Sequence, residues 1–200
     1  MEPDSKTDLA GRRMLVVMAE GSLAGAIARV AGARGAEVQW IDTTELGWEE
    51  SLDAREKAVD VLVHLGPPPS ERAPMAALRP ILREMAERGF GRVVSLAFHS
   101  GRPGETERAA ALRNELVQAC SELWGPGLDL VANRVLLDRV EGLEGREDAG
   151  RAQRSAPVDR AATLEEVAEA VTFLASPRAG YLAGITTPLI GGRGLGLTSA

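Results

Sequence analysis

Short apolar runs alternate along this chain with stretches in which apolar residues recur every three or four positions. Residues 13–18, Arg-Met-Leu-Val-Val-Met, form a valine-rich run, and Leu23, Ile27, Ala28, Val30 and Ala31 follow at helical spacing until Gly35. The pattern predicts strand, turn and helix. Further strands are predicted at 37–42, 61–65, 92–97 and 128–133, while Met75, Leu78, Leu82 and Met85, and then Leu112 to Leu123, keep helical spacing. Alternating strand and helix implies a parallel sheet covered on both faces, a doubly wound α/β domain. Asp138 to Arg160 is charged, holds Gly145, Gly150 and Pro157 and shows no apolar period, so it predicts a mobile loop serving as a lid or docking segment. Thr163-Leu-Glu-Glu166 then supplies a capping box for a helix carrying Leu164, Val167, Val171 and Leu174 on one side. Thr186 to Ile190 predicts a last strand, where Pro188 points to an edge or a bulge. The expected layout is a disordered tail at 1–10, one domain at 11–195 and a second tail at 196–200.

Composition narrows the partners. With 44% hydrophobic and 26% charged residues, 200 residues suit one domain with a real core. The net charge of −6 argues against nucleic acid or an anionic membrane, either of which needs a clustered basic face. The polar, acidic start has no apolar signal region, and no stretch reaches the ~20 apolar residues that span a bilayer, so a cytoplasmic protein is expected. The single Cys120 lies in the helical pattern of Leu116, Ala119 and Leu123, which points to core packing rather than a catalytic thiol.

The segment Glu165-Glu-Val-Ala-Glu-Ala-Val-Thr-Phe-Leu-Ala-Ser-Pro-Arg-Ala-Gly-Tyr-Leu-Ala-Gly184 resembles the last helix and turn of the short-chain dehydrogenase/reductase family. Gly191-Gly192 resembles the glycine pair after that family's last strand, and Gly11 through Asp42 its first strand, helix and second strand. Asp60-Val-Leu-Val63 and Arg92-Val-Val-Ser-Leu96 are similar to its fourth and fifth strands. The resemblance spans most of residues 11–195. It implies a Rossmann-like fold and assembly into dimers or tetramers through the helix at 109–124 and the tail from 164 onward.

The departures concern chemistry. The family's TGxxxGxG cofactor turn aligns with Val17-Met-Ala-Glu-Gly-Ser-Leu-Ala24, which places Met18, Ser22 and Ala24 where glycines would be. Gly21 and Gly25 remain, out of register. The glycines let the backbone approach a pyrophosphate, so Met18 is expected to obstruct it. Glu20 would repel the phosphates by about 1–4 kcal/mol at ~4 Å. Asp42, where the family often binds the adenosine ribose, is also a common turn residue. No cofactor is therefore expected, NAD(P) binding is in doubt, and Asp42, Gly21 and Gly25 are the remaining candidates for contacting it. The Asn-Asn-Ala-Gly segment becomes His64-Leu-Gly-Pro67, and the interval from Asp42 to Asp60 is too short for the usual third strand, which is expected to be missing or vestigial. The catalytic Ser falls near Ala97 or Phe98. The only tyrosine is Tyr181 and the only lysines are Lys6 and Lys57, so no YxxxK motif exists. Carbonyl reduction needs a proton donor whose pKa is lowered by a neighbouring cation, and this sequence offers neither at the family's positions.

Other constellations remain. His64 and His99 fall just past the carboxyl ends of neighbouring strands, where ligands bind in open α/β sheets, near Ser95, Ser100 and Glu105. They could act in acid/base catalysis, or be loop residues satisfied by backbone or water; a metal would need a third ligand. Arg102, Arg108, Arg113 and Arg134 could hold an anionic tail such as coenzyme A or be solvated surface charges. Trp40, Trp48 and Trp124 read as core or interface aromatics.

The sequence thus points first to a catalytically inactive subunit that supports an intact short-chain dehydrogenase/reductase, with acyl thioesters as the substrate class the resemblance suggests. The resemblance suggests this setting, because pairings with one degenerate subunit occur in that family. A second reading is different chemistry on the same scaffold through His64 and His99, and a third is a nucleotide- or acyl-sensing module. A homo-oligomer stays open as the alternative assembly.

Overall fold

The computed structural model describes residues 7–53, 58–65, 75–98, 118–143 and 157–192. Six parallel strands form one sheet in the order β2-β1-β3-β4-β5-β6. They are β1 (Arg13–Val17), β2 (Glu37–Ile41), β3 (Val61–Leu65), β4 (Phe90–Phe98), β5 (Asp129–Leu137) and β6 (Thr186–Leu189). The helices are α1 (Gly21–Ala33), α2 (Trp48–Asp53), α3 (Met75–Glu87) and α4 (Leu164–Ala175), and residues 118–121 are also helical.

Each face of the sheet carries its own apolar layer. Met14, Val16, Val63, Val94 and Val135 pack under α1 and α4, whereas Leu15, Val17, Leu62, Val93 and Ala132 pack under α3, together with Cys120. With both faces covered, all five residues of β3 are buried and no polar alternation shows. Between β2 and β3 the described residues hold α2 and no strand, so β2 is an edge of the sheet, as the short interval predicted.

Local chemistry sets the element ends. Gly35 closes α1 at φ 91°, and a Cβ there would lie 2.9 Å from Ala10 Cα, so only glycine turns the chain into β2 at this contact. The predicted capping box forms: Thr163 Oγ1 accepts from Glu166 N–H at 3.1 Å, and Glu166 Oε2 accepts from Thr163 N–H at 2.9 Å. Asp8 and Leu9, expected in a disordered tail, are buried. Leu9 sits in the α1 layer, and the Asp8 carboxylate lies 3.7 Å from Arg34 and 3.8 Å from Arg178. Residues 144–156 of the predicted mobile loop lie outside the described residues. The first residues of that loop bind Ala162, just beyond its other end, through Ala162 N–H to Arg139 O and Glu141 N–H to Ala162 O, both 2.9 Å.

Candidate functional site

The strand order reverses between β1 and β3, since β2 lies to one side of β1 and β3 to the other. Ligands of open α/β sheets bind outside the carboxyl ends at such a point. There Met18, Ala19 and Glu20 carry the chain from β1 into α1. Met18 continues the alternation of Met14 and Val16 and is fully buried with Leu23 and Ile27. Ala24 is buried in the same layer. The expected obstruction by Met18 is corrected accordingly: its side chain belongs to the core beneath the turn. Ala24 N–H makes the first helical bond, to Glu20 O at 2.9 Å, so the N–H groups of Gly21, Ser22 and Leu23 precede the helical ladder. Ser22 and Gly25 are exposed on the outer side of α1.

β2 contributes two groups beside this turn. Trp40 aligns with Val16 of β1, and its indole Nε1–H donates to Met18 O at 3.0 Å. Its ring rests against Gly21, where a Cβ would come within 3.0 Å of the indole Cη2. Trp40 nonetheless stays 44% exposed. Asp42 follows the strand, and its Oδ1 accepts from Thr44 N–H and Thr44 Oγ1–H, both at 2.8 Å, closing an Asx turn.

His64 lies inside β3 rather than in a loop. It is 2% exposed, its Nδ1 has no hydrogen-bond partner, and burial lowers its pKa to about 4. Its register partner on β4 is Ser95, which in turn aligns with Arg134 of β5, so the three form a row across the sheet. Arg134, read from sequence as a ligand or surface arginine, is buried. His99, Ser100, Arg102, Glu105, Arg108 and Arg113 lie outside the described residues, as do residues 109–117 of the helix expected at an interface. Cys120 is buried and its thiol is pushed up to about 12 by desolvation, which fits the packing role. Trp48 packs on the α3 layer, while Trp124 is 46% exposed.

A cavity of about 320 Å³ opens at the carboxyl ends of β5 and β6, lined by Asp138, Arg139, Val158, Arg160, Pro188 and Leu189 among others. It is separated from the β1–α1 turn by the width of β3 and β4. No described helix is long and apolar enough to cross a membrane.

Among known proteins, the chain is 31% identical over 125 residues to the short-chain reductase protein NovJ of Streptomyces niveus, covering 56% of this chain and 48% of that one. It is 31% identical over 121 residues to the 3-oxoacyl-[acyl-carrier-protein] reductase FabG of Haemophilus influenzae, covering 56% and 50%. Over a little more than half of its length the chain is thus similar to short-chain reductases. It spans about half the length of those two proteins. Against nodulation protein G of Rhizobium meliloti the likeness covers 92% of this chain and 98% of that one at 27% identity. That alignment runs over 240 positions, more than this chain's 200 residues, so the relative carries segments absent here. No family model matches the chain.

Solved structures share the fold. A 3-oxoacyl-[acyl-carrier protein] reductase from Brucella melitensis superposes with a TM-score of 0.70 at 17% identity, covering 94% of this chain and 93% of that one. A gluconate 5-dehydrogenase from Burkholderia cenocepacia, in complex with NADP and tartrate, gives 0.68 at 20% identity, covering 96% and 99%. The expectation that no cofactor is involved is corrected on this ground. A neighbour of the same Rossmann-like fold holds NADP, and one of the two side chains invoked against binding, Met18, is buried in the core, while the other, Glu20, stands at the N-cap of α1.

Proposed function

We propose that this chain is a subunit of a short-chain dehydrogenase/reductase assembly that retains a dinucleotide-binding turn and relies on a catalytically complete relative for proton transfer. The observation that carries the reading is the absence of a Tyr–Lys pair. The sole tyrosine, Tyr181, is fully exposed in the turn before β6, and both lysines lie far from the family's YxxxK position. An acid for a carbonyl oxygen must sit within hydrogen-bond reach of it and have a tuned pKa.

The β1–α1 turn offers donors for a dinucleotide, against the charge of Glu20 at the N-cap of α1. The N–H groups of Gly21, Ser22 and Leu23 at the start of a thirteen-residue helix suit a pyrophosphate, favoured further by the helix dipole. Asp42 can accept from a ribose hydroxyl through Oδ2 while Oδ1 holds Thr44. A carboxylate at that place favours a free ribose diol over a 2′-phosphate, so NAD(H) is the preferred form. When bound, the nicotinamide gives or accepts a hydride. This chain's own part is to bind and orient the dinucleotide. Kinship with 3-oxoacyl-[acyl-carrier-protein] reductases supports acyl thioesters as the partner's substrates.

Native mass spectrometry on the protein isolated from its own cells tests the reading. A stoichiometric complex with a YxxxK-bearing reductase is expected; a homo-oligomer or a monomer overturns it.

A further inference from the structure

We infer that the outer edge of β2 is a docking surface for the same edge of a second copy of this chain, the two strands pairing antiparallel about Gln39. The inference goes beyond the reading above and holds with or without a reductase bound elsewhere on the molecule.

The edge is open. No described strand lies beyond β2. Its ladder to β1 begins with Glu37 N–H donating to Arg12 O at 2.9 Å and ends with Ile41 O accepting from Met18 N–H at 3.2 Å, in an unbroken parallel register. In such a ladder alternate residues face the neighbour, so Glu37, Gln39 and Ile41 bond to β1. The N–H and C=O of Val38 and Trp40 point the other way, off the sheet. Native edges are blunted by lysine, proline or a bulge, and Glu37-Val-Gln-Trp-Ile41 holds none of these. Gln39 and Trp40 are both exposed.

The strand complements its own reverse. With a two-fold axis at Gln39, Val38 faces the partner's Trp40 and Trp40 faces the partner's Val38. Each pair exchanges both backbone bonds, so every outward group of these residues is satisfied. Val38 packs on the α1 layer and Trp40 lies on the same face with its indole partly open, so a branched side chain meets an aromatic ring across the axis. Neighbouring registers fit less well. An axis at Val38 would call on Ala36 N–H, already donated to Ala31 O at 3.0 Å, and one at Trp40 would call on Asp42 O, already accepting from Glu45 N–H at 3.3 Å. The axis at Gln39 also sets Glu37 opposite the partner's Ile41, so no two carboxylates meet. These matches commit the edge to a second copy rather than to an unrelated strand.

Gln39 meets itself across the axis, which makes it the test position. Native mass spectrometry and sedimentation velocity on the full chain, with any bound partner retained, count the copies of this chain per particle; at least two are expected. Gln39→Lys and Gln39→Glu each set like charges face to face and should raise the dissociation constant about ten-fold or more at low salt, halving the count at a concentration where the wild type stays paired. An equimolar mixture of the two variants should restore pairing, because lysine then faces glutamate. Circular dichroism melts show whether each variant is folded; should one unfold, loss of pairing in the other still decides. A wild-type particle with a single copy overturns the inference, as does a particle whose size neither charge variant changes. Loss of pairing without rescue by mixing also overturns it, since the position then does not face itself. A reductase in the particle is read separately by its own mass, so failure of the partner reading and failure of the edge pairing are told apart.

Discussion

Replacing Asp60 with alanine should cost about 2–4 kcal/mol of folding stability, because its barely exposed carboxylate ties the start of β1 to the end of α3. Asp60 Oδ2 accepts from Arg13 N–H at 2.9 Å at the start of β1, and Oδ1 accepts from Arg88 Nη1 at 2.8 Å just after α3. Its backbone continues the joint: Asp60 N–H donates to Arg13 O at 2.8 Å and Asp60 O accepts from Arg92 N–H at 3.0 Å. The backbone bonds survive truncation, so the loss concerns the two side-chain bonds. Hydrogen bonds to charged groups contribute about 1.5–3 kcal/mol each. Arg88 is partly exposed and regains water, which pulls its share to the low end; Arg13 N–H loses its acceptor with less access to solvent. Burial raises the Asp60 pKa, but the Arg13 N–H, the Arg88 hydrogen bond and both arginine charges outweigh it and hold it below its ordinary value of 3.8. A depressed carboxylate stabilises the fold above the unfolded pKa, and that contribution is lost as pH falls through the folded value. The difference between wild type and Asp60→Ala in urea unfolding should therefore be full at pH 7 and shrink once pH drops below about 4. A difference under about 0.5 kcal/mol at pH 7, the range of an ordinary surface change, would refute the reasoning.

His64 gives the second acid-sensitive term: burial sets its pKa near 4 against 6.5 unfolded, so stability is full above pH 6.5 and declines between 6.5 and 4 by up to about 3 kcal/mol. His64→Leu should flatten that decline in pH-dependent melts, and an unchanged profile would show that the imidazole is not enclosed. Gly91→Ala places a Cβ 2.5 Å from Leu130 Cδ1 and 2.8 Å from Met85 Sδ, and should lower stability by about 1–3 kcal/mol in urea; neutrality would mean that α3 and β5 yield freely. Cys120 should resist a thiol reagent in the native state and react on addition of denaturant, whereas prompt labelling at pH 8 would contradict its burial.

Much of the fold was legible because strands buried on both faces appear as plain apolar runs, and α1, α3 and α4 kept a three-to-four spacing. The same double burial hid the strand ends. β4 starts two residues before the predicted Arg92, and β5 runs on to Leu137, four residues past the predicted end at Asn133, through Arg134, which read as a ligand-binding or surface charge. Asn133 is accommodated by donating to Leu182 O and accepting from Ile185 N–H at 3.1 Å, partners fifty residues away that no local pattern announces. His64 was placed past its strand for the same reason. Trp40 read only as a core or interface aromatic, since its bond to Met18 O joins two strands and depends on their register.

The cofactor turn shows why a degraded motif is weak grounds for lost binding. A glycine motif records two separate requirements: backbone that must be approached from outside, and backbone that must pack closely from inside. Of the three positions that depart from the motif, Met18 and Ala24 have side chains in the core, where the surrounding layer of Leu23 and Ile27 accepts them. Only Ser22 faces outward, and it is a small side chain on an exposed helix start. The glycine departures at this turn therefore alter the packing beneath it, while the charge of Glu20 at the N-cap of α1 stays in place. The argument for a supporting rather than a self-sufficient subunit consequently does not depend on the glycines. It rests on the missing tyrosine and lysine, for which no inward-facing substitution can compensate, because a proton must be delivered at a particular atom.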